Sequence, residues 1–311
     1  MRRVVITGIG TINPLAHNVS DTWQAVREGR SGIAPITAFD TSEFPVKAAG
    51  EIKHFEPSSF IDPKAVRRLD RYQWLASIAA REALASSGYE VTEANSLRTG
   101  VAVCSAVGGM ETMVDQIVLN HEEGSKRLNP FTIPKIMSNG ASGTISIEHG
   151  IRGLSFSVAS ACASSSDGIG LSIQLIRSGI VDAMLSGGAE ASITSFAIGC
   201  FDRVSAASRS TDGTPRPFSK DRDGLIMGES ATVLVLEELG HAQARGAEIL
   251  AEIVGYGATA DAHHITAPIE DGSGGAAAIA MALNDGGINP SDVDYVNAHG
   301  TSTPANDSIE T

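Results

Sequence analysis

Two residues in this sequence stand where nucleophilic chemistry can be done. The first is Cys162, within Phe156-Ser157-Val158-Ala159-Ser160-Ala161-Cys162-Ala163-Ser164-Ser165-Ser166. An apolar, strand-like run enters a turn of small residues, and a helical pattern follows. That order describes a nucleophile elbow, with Cys where hydrolases carry Ser. Small neighbours let a substrate carbonyl reach the sulfur. A helix N-terminus behind the turn favours the thiolate through its dipole and unbonded N–H groups, lowering an ordinary thiol pKa of roughly 8.5. The N–H of Cys162 is also placed to help hold an oxyanion. The plainer alternative is an inert core cysteine. Cys104 and Cys200 lack such surroundings and read as core residues.

The second is His299, in Val296-Asn297-Ala298-His299-Gly300-Thr301-Ser302-Thr303-Pro304. The pattern predicts a strand over Val293–Ala298, with His299 leaving its C-terminal end into a Gly/Thr/Pro loop. Strand C-terminal ends are where α/β sheets place function. Taken alone, His299 reads as a hydrogen-bonded structural histidine. Beside a nucleophilic Cys162, a Cys–His site becomes the better reading.

The elements that must position these residues alternate along the chain. Strands are expected at Val4–Thr7, Gly100–Cys104, Leu154–Ala159, Val181–Ser186 and Ser230–Leu236. Helices are expected at Arg71–Ser87, stopped by Gly88, at Asp167–Arg177, stopped by Gly179, and at Leu239–Arg245. A second, similar pattern then begins, with strand Ile249–Tyr256, helix Gly275–Asp285 and strand Val293–Ala298. Such alternation predicts an α/β fold, with sheets covered by helices on both faces. The ending Ser308-Ile309-Glu310-Thr311 reads as the opening of a helix, so the chain is expected to be truncated at its C-terminus.

The totals narrow the function. Of 311 residues, 42% are apolar and 19% charged, the balance of a soluble protein with a sizeable core. A net charge of −13 argues against nucleic acid, which needs a dominant basic surface. An acidic protein partner remains open if basic residues cluster locally. Three widely spaced cysteines form neither a disulfide framework nor a metal set, which favours a reducing cytoplasm. No stretch approaches the ~20 apolar residues of a membrane span. Gly8-Ile9-Gly10, read as a turn that follows the Val4–Thr7 strand, lacks the third glycine of a dinucleotide fingerprint. His263-His264 lacks a surrounding ligand cluster, so no metal is expected.

Several segments together carry a family resemblance. They are VASACASSS around Cys162, PFSKDRDGLIMGE (Pro217–Glu229) and NAHGTSTPAND (Asn297–Asp307). With them stand RVVITGIGTINPLAHN, SGIAPITAFD (Ser31–Asp40) and DAHHITAP (Asp261–Pro268). In this order the chain resembles, over its whole length, the β-ketoacyl-[acyl-carrier-protein] synthases, and among them the type II elongating condensing enzymes. The resemblance implies a thiolase-like fold of five layers, αβαβα, built from two similar halves. Residues 1–245 would form the half carrying the nucleophilic Cys, and 246–311 the start of the second half, left incomplete.

It also implies roles. Cys162 would take an acyl chain from the phosphopantetheine arm of acyl carrier protein (ACP). Malonyl-ACP would lose CO₂, and its carbanion would attack the acyl-Cys thioester. His299 would stabilise the developing enolate, and Thr301, Thr303 and Thr266 would hold the pantetheine arm. Asp307 and Glu310 match acidic residues that support a region beyond this sequence, where the family's second histidine, its lysine and its Gly-rich oxyanion loop lie and where their partners are expected. ACP, being acidic, would dock on Lys64, Arg67 and Arg68, and on Lys126 and Arg127; the alternative for both clusters is solvated charge. No cofactor is expected, and the family implies a cytoplasmic homodimer.

The sequence departs from the family at Ser230 and Thr232, where glycines are frequent, and at Asn306, where Gly is commoner. Its DAHHITAP and PANDSIET segments are also similar to specialised synthases of nodulation-signal chains and aromatic polyketides. A polyketide or signal-lipid ketosynthase is therefore the alternative, together with a catalytically incomplete fragment. The presence of Cys162 argues against a chain-length factor.

Overall fold

The computed structural model describes residues 2–210 and 213–311. The chain divides into two units. One comprises the opening segment to Gly32, Gly50–Thr194 and Gly228–Ile253; the other comprises Ile33–Ala49, Ser195–Met227 and Val254–Thr311.

The first unit is built on one mixed sheet. Its strands are β1 (Val4–Ile12), β2 (Thr99–Cys104), β3 (Ala183–Glu190), β4 (Ser230–Glu238) and β5 (Ala251–Ile253), in the order β2-β3-β4-β1-β5. The pair β2–β3 is parallel and the other neighbours are antiparallel. Helices α1 (Arg71–Ser87) and α2 (Gly140–His149) cover one face, and α3 (Ser164–Arg177) covers the other. The continuous apolar run of β4 follows from this double cover. Ala231, Val233 and Val235 point to the α1 core with Leu75, Ala79 and Ala83, while Leu234 and Leu236 join Ile173 and Ile176 of α3.

Helix α1 has the bounds that its pattern predicts. Asp70 and Gln73 form a capping box at its start, and Gly88 ends it in a left-handed conformation (φ 60°).

Strand β1 shifts register against β4 between Ile6 and Gly8. Side chains alternate faces along a strand, so such an irregularity moves the following residues to the other side. Val4 and Ile6 pack on the α3 face, yet Ile12 packs on the α1 face. Gly8 and Gly10 are thereby turned onto α1. A Cβ on Gly8 would lie 2.3 Å from the Ala83 carbonyl oxygen, and one on Gly10 would lie 1.9 Å from that of Ala79. The Gly8-Ile9-Gly10 turn expected from the sequence is therefore continuous strand, and its glycines let a helix rest on the strand backbone.

The register shift is tied to a buried charge. Thr7 Oγ1 donates to Glu237 Oε1 at 2.6 Å, and Glu237 is fully buried. Arg245 donates to both carboxylate oxygens, at 2.9 and 2.6 Å, and His241 Nδ1 lies 2.8 Å from Oε2. Burial opposes ionisation of Glu237, but the bonds from Arg245 and Thr7 outweigh it and hold the pKa below its ordinary value. Arg245 also lies over the Tyr89 ring and donates to the Ser87 carbonyl at the end of α1.

Three predicted strands differ from the structure. Leu154–Ala159 makes only an isolated bridge, Ser155 to Val101. The Ser142 hydroxyl, from α2, accepts from Val103 N–H at 2.9 Å and donates to the Phe156 carbonyl at 2.8 Å. Backbone bonds join Val101 to Leu154 and Phe156, and beyond Val101 the side chain takes the place of the ladder. The second, β5, pairs with β1 in the first sheet instead of opening another. The third, Val293–Ala298, is assigned no strand, and Val293, Tyr295 and Val296 are exposed. A strand needs a neighbour to satisfy its backbone groups, and none runs beside this segment among the described residues.

The second unit carries a short ribbon (Ala34–Pro35 with Ala48–Ala49), a helix at Ser195–Arg203, and two helices that follow Leu239–Ala244 (α4): α5 (Ser273–Gly286) and α6 (Pro304–Glu310). Gly255 and Gly257 meet α5 as Gly8 and Gly10 meet α1. Added Cβ atoms would lie 2.1 Å from the Ala282 carbonyl oxygen and 2.2 Å from that of Ala278.

Gly10→Ala is expected to destabilise the protein by about 1–3 kcal/mol, because backbone and not a mobile side chain must move. A lowered urea midpoint would show it. A second expectation concerns pH. Hydrogen bonds from Arg98, reinforced by Arg2, hold the Asp182 carboxyl from its ordinary 3.8 down to about 2. Its pKa is depressed on folding, so its contribution is complete above the ordinary value and lost as pH falls from about 4 to about 2. Denaturation midpoints of Asp182→Asn should accordingly fall less steeply over that window than those of the unaltered protein.

Candidate active site

Cys162 is exposed and stands two residues before α3. The turn that carries it is closed by its own serines. Ser164 Oγ accepts the Ser160 N–H at 2.9 Å and donates to the Ala161 carbonyl at 2.7 Å. The Ser160 hydroxyl donates to Asp167, in the first turn of α3. Ala161 has φ 53°, a left-handed conformation that costs a residue with a Cβ. The strained residue therefore immediately precedes the sulfur. Helix α3 begins at Ser164, three residues before the expected Asp167, so its positive end lies closer to Cys162 than the sequence implied.

The other cysteines differ from it. Cys104 is buried, as expected, and its sulfur accepts the Val158 N–H at 3.3 Å; burial pushes its thiol pKa up. Cys200 is exposed, against the expectation of a core residue. Ala197, Ile198 and Asp202 form the buried side of its helix, and position 200 falls off that side.

His299 is exposed and belongs to the second unit. Its loop turns through two left-handed residues, Gly300 (φ 49°) and Ser302 (φ 67°). Two carboxylates from α6 grip the loop backbone. Glu310 accepts the N–H groups of His299 and Gly300 at 2.6 and 2.8 Å. Asp307, which is buried, accepts those of Ser302 at 3.1 Å and Phe218 at 2.7 Å, and forms an ion pair with Arg222 at 3.7 Å. Burial opposes ionisation of both, but the backbone donors outweigh it and hold both pKa values below the ordinary range. Within this sequence Asp307 and Glu310 thus hold the histidine's own loop.

Thr303 caps α6, accepting the Asn306 N–H, and its hydroxyl lies 2.9 Å from that of Thr301. Arg222 also donates to the Thr303 and Pro304 carbonyls, at 3.2 and 2.8 Å. Nothing in its spacing singled out Arg222, although its motif did. At the far end of that motif, Glu229 belongs to the first unit, where Arg71 pairs with it at 2.7 Å.

Thr266 lies apart, on an exposed loop of the second unit. His264 Nδ1 accepts the N–H groups of Thr266 and Ala267 at 3.1 and 3.0 Å, and Asp261 accepts that of Ile269 at 3.0 Å. His264 therefore shapes the loop. In the first unit, Lys64, Arg67 and Arg68 are exposed at a short helix, Pro63–Val66. The Arg68 guanidinium lies 5.2 Å from the centre of the Phe131 ring, which joins this cluster to the segment that follows Lys126 and Arg127. Arg127 is exposed and paired with Glu123 at 2.8 Å.

The structure thus gathers His299, Thr301, Thr303, Asp307 and Glu310 into one loop and helix, and places Cys162 at the head of α3. The family model of the β-ketoacyl synthase N-terminal domain matches residues 1–242, and that of the C-terminal domain matches residues 250–311. The chain belongs to the β-ketoacyl synthase family. A 3-oxoacyl-[acyl-carrier-protein] synthase 2 of Synechocystis sp. is 44% identical over 313 residues, covering 100% of this chain and 75% of the relative. The chain thus spans about three-quarters of that relative's length.

Among solved structures, the ishigamide ketosynthase/chain length factor has a TM-score of 0.92 at 36% identity, covering 99% of this chain and 76% of its own. The AntDE:AntF complex, a type II PKS acyl-carrier protein with its ketosynthase, has a TM-score of 0.88 at 30% identity, with coverage of 99% and 76%. The fold is the thiolase-like α/β fold of the ketosynthases, as expected. β-Ketoacyl synthases are condensing enzymes of the acyltransferase type, and this chain is one of them. No helix among the described residues is long and apolar enough to cross a membrane.

Asp307→Ala removes the acceptor of two backbone N–H groups and the counter-charge of Arg222. A loss of about 1–3 kcal/mol is expected, with faster proteolysis within Gly213–Gly224 and the 299–303 loop. An unchanged denaturation midpoint would mean that the carboxylate does not hold the loop.

Proposed function

We propose that the chain extends acyl groups on ACP by decarboxylative condensation, in fatty acid elongation, with Cys162 as nucleophile and His299 as the enolate-stabilising group. The observation that carries this reading is the exposed Cys162, set on a strained turn at the positive end of α3. In the first step the Cys162 thiolate attacks the thioester carbonyl of acyl-ACP. The tetrahedral intermediate collapses, the C–S bond to pantetheine breaks, and the released thiolate takes up a proton. A soft thiolate suits thioester exchange.

Malonyl-ACP then loses CO₂. The electron pair of the broken C–C bond passes into an enolate whose negative charge rests on the thioester oxygen. An imidazole N–H of His299, on a loop fixed by Glu310 and Asp307, stabilises that charge without reorganising. The enolate carbon attacks the acyl-Cys162 carbonyl, and the Cys162 thiolate leaves. Electrons and protons balance between thioesters and CO₂, so no cofactor is called for.

Thr301, Thr303 and Thr266 offer hydroxyls to the amide-rich pantetheine arm. Lys64, Arg67 and Arg68, with Lys126 and Arg127, would receive the acidic carrier; the ACP-bound ketosynthase among the structural relatives supports such a partner. A homodimer in the cytoplasm accords with the family. The relative named for 3-oxoacyl-ACP synthesis is more alike in sequence than the polyketide enzymes, which favours fatty acid elongation.

The test is intact mass after incubation with a medium-chain acyl-ACP, beside a Cys162→Ala control. One acyl adduct on the unaltered protein and none on the variant is expected. Equal labelling of both would remove Cys162 from the mechanism. Reversal of charge in Arg67→Glu with Arg68→Glu should raise KM for acyl-ACP about tenfold at low salt, and less at high salt. An unchanged KM would remove this patch as the docking site.

A further inference from the structure

We propose that Asn306 is a positioning residue for His299: its side-chain amide joins the two carboxylates that hold the histidine loop. The amide nitrogen donates to Asp307 Oδ1 at 3.1 Å and to Glu310 Oε2 at 3.2 Å. Those oxygens are also the acceptors of Ser302 N–H and Gly300 N–H. The nitrogen therefore stands at the centre of a continuous path. It runs from Gly300 N–H through Glu310, Asn306 and Asp307 to Ser302 N–H, and it brackets Thr301.

Chemistry fixes which end of the amide faces this path. Both neighbours are carboxylate oxygens, which only accept, so the NH₂ end must point to them and its two hydrogens serve one acid each. The need for such a bridge is local. Asp307 and Glu310 sit three residues apart on one short helix, where like charges repel. Arg222 faces Asp307, and the loop backbone faces both acids. Among the described residues Asn306 supplies the one side-chain donor shared between them. The residues it steadies, Gly300 and Ser302, are the two left-handed positions that set the path of the chain beyond His299.

The inference rests on the condensing reading only for the importance of His299, and the geometry is read without any turnover. The experiment is backbone amide hydrogen exchange, with NMR titration of the Glu310 carboxyl, on the unaltered protein, Asn306→Asp and Asn306→Gly. Asn306→Asp keeps the shape and replaces the donor by an acceptor. In both variants the Gly300 and Ser302 amides should exchange about tenfold faster, the effect of losing roughly one hydrogen bond. The Glu310 titration should move up by about one pH unit. Amides of β4 should not change.

Unchanged exchange and titration in both variants would overturn the proposal. So would faster exchange in Asn306→Asp alone, since that assigns the effect to added charge, or acceleration spread evenly over β4 and α6. Failure of Cys162 to take an acyl group would leave these readouts untouched, so the two ideas can fail separately.

Discussion

The first unit depends on backbone lying directly on backbone. Strand β1 contacts α1 through Gly8 and Gly10, at distances where any Cβ would overlap the carbonyls of Ala83 and Ala79. Those carbonyls are four residues apart, one helical turn, and the glycines are two apart, one strand period. The match of the two repeats lets the helix lie flat along the strand. Both glycines reach that face only because the register shifts at Thr7, whose hydroxyl is taken by the buried Glu237. A polar network thus fixes the point at which an apolar contact becomes possible.

Glycines also seat the head of α3. Gly168 of α3 meets the Cys104 sulfur, and Gly188 of β3 meets Ser165; added Cβ atoms would stand 2.5 and 2.7 Å from them. The head of α3 is thereby pressed onto β2 and β3, and the turn bearing Cys162 has a rigid base. His299 is held differently, by carboxylates on backbone N–H groups. One residue is steadied by close packing and the other by charge, which suits the tasks proposed for them. A nucleophile needs a fixed approach, whereas an enolate needs a donor aimed in advance.

Much of this was legible in the sequence. The bounds of α1, the double-faced apolar run of β4 and the small-residue turn at Cys162 each express a local rule of period or capping, and the motifs in register placed the family. What was not legible depends on partners distant in the chain. Leu154–Ala159 has a strand's composition, but Ser142 occupies its hydrogen-bonding edge. Val293–Ala298 has the composition too, without a neighbouring strand. The grip of Asp307 and Glu310 on the 299–302 loop was not legible either, because nothing local reveals that α6 folds back on the loop before it. Gly8-Ile9-Gly10 suggested a turn, since a glycine chosen for flexibility and one chosen for thinness look alike on paper.

That thinness sets limits on how the gene can be shuffled. In a chimaera, a crossover between residues 10 and 79 separates β1 from the helix it was matched to, and a crossover between 257 and 278 does the same to the second unit. A donor that carries even alanine at either member of a glycine pair would weaken the seam. A junction within Leu239–Ala244 leaves both pairs with their own helices. The same junction parts Glu237 from Arg245, so exchange of whole halves there needs a donor that keeps arginine at position 245.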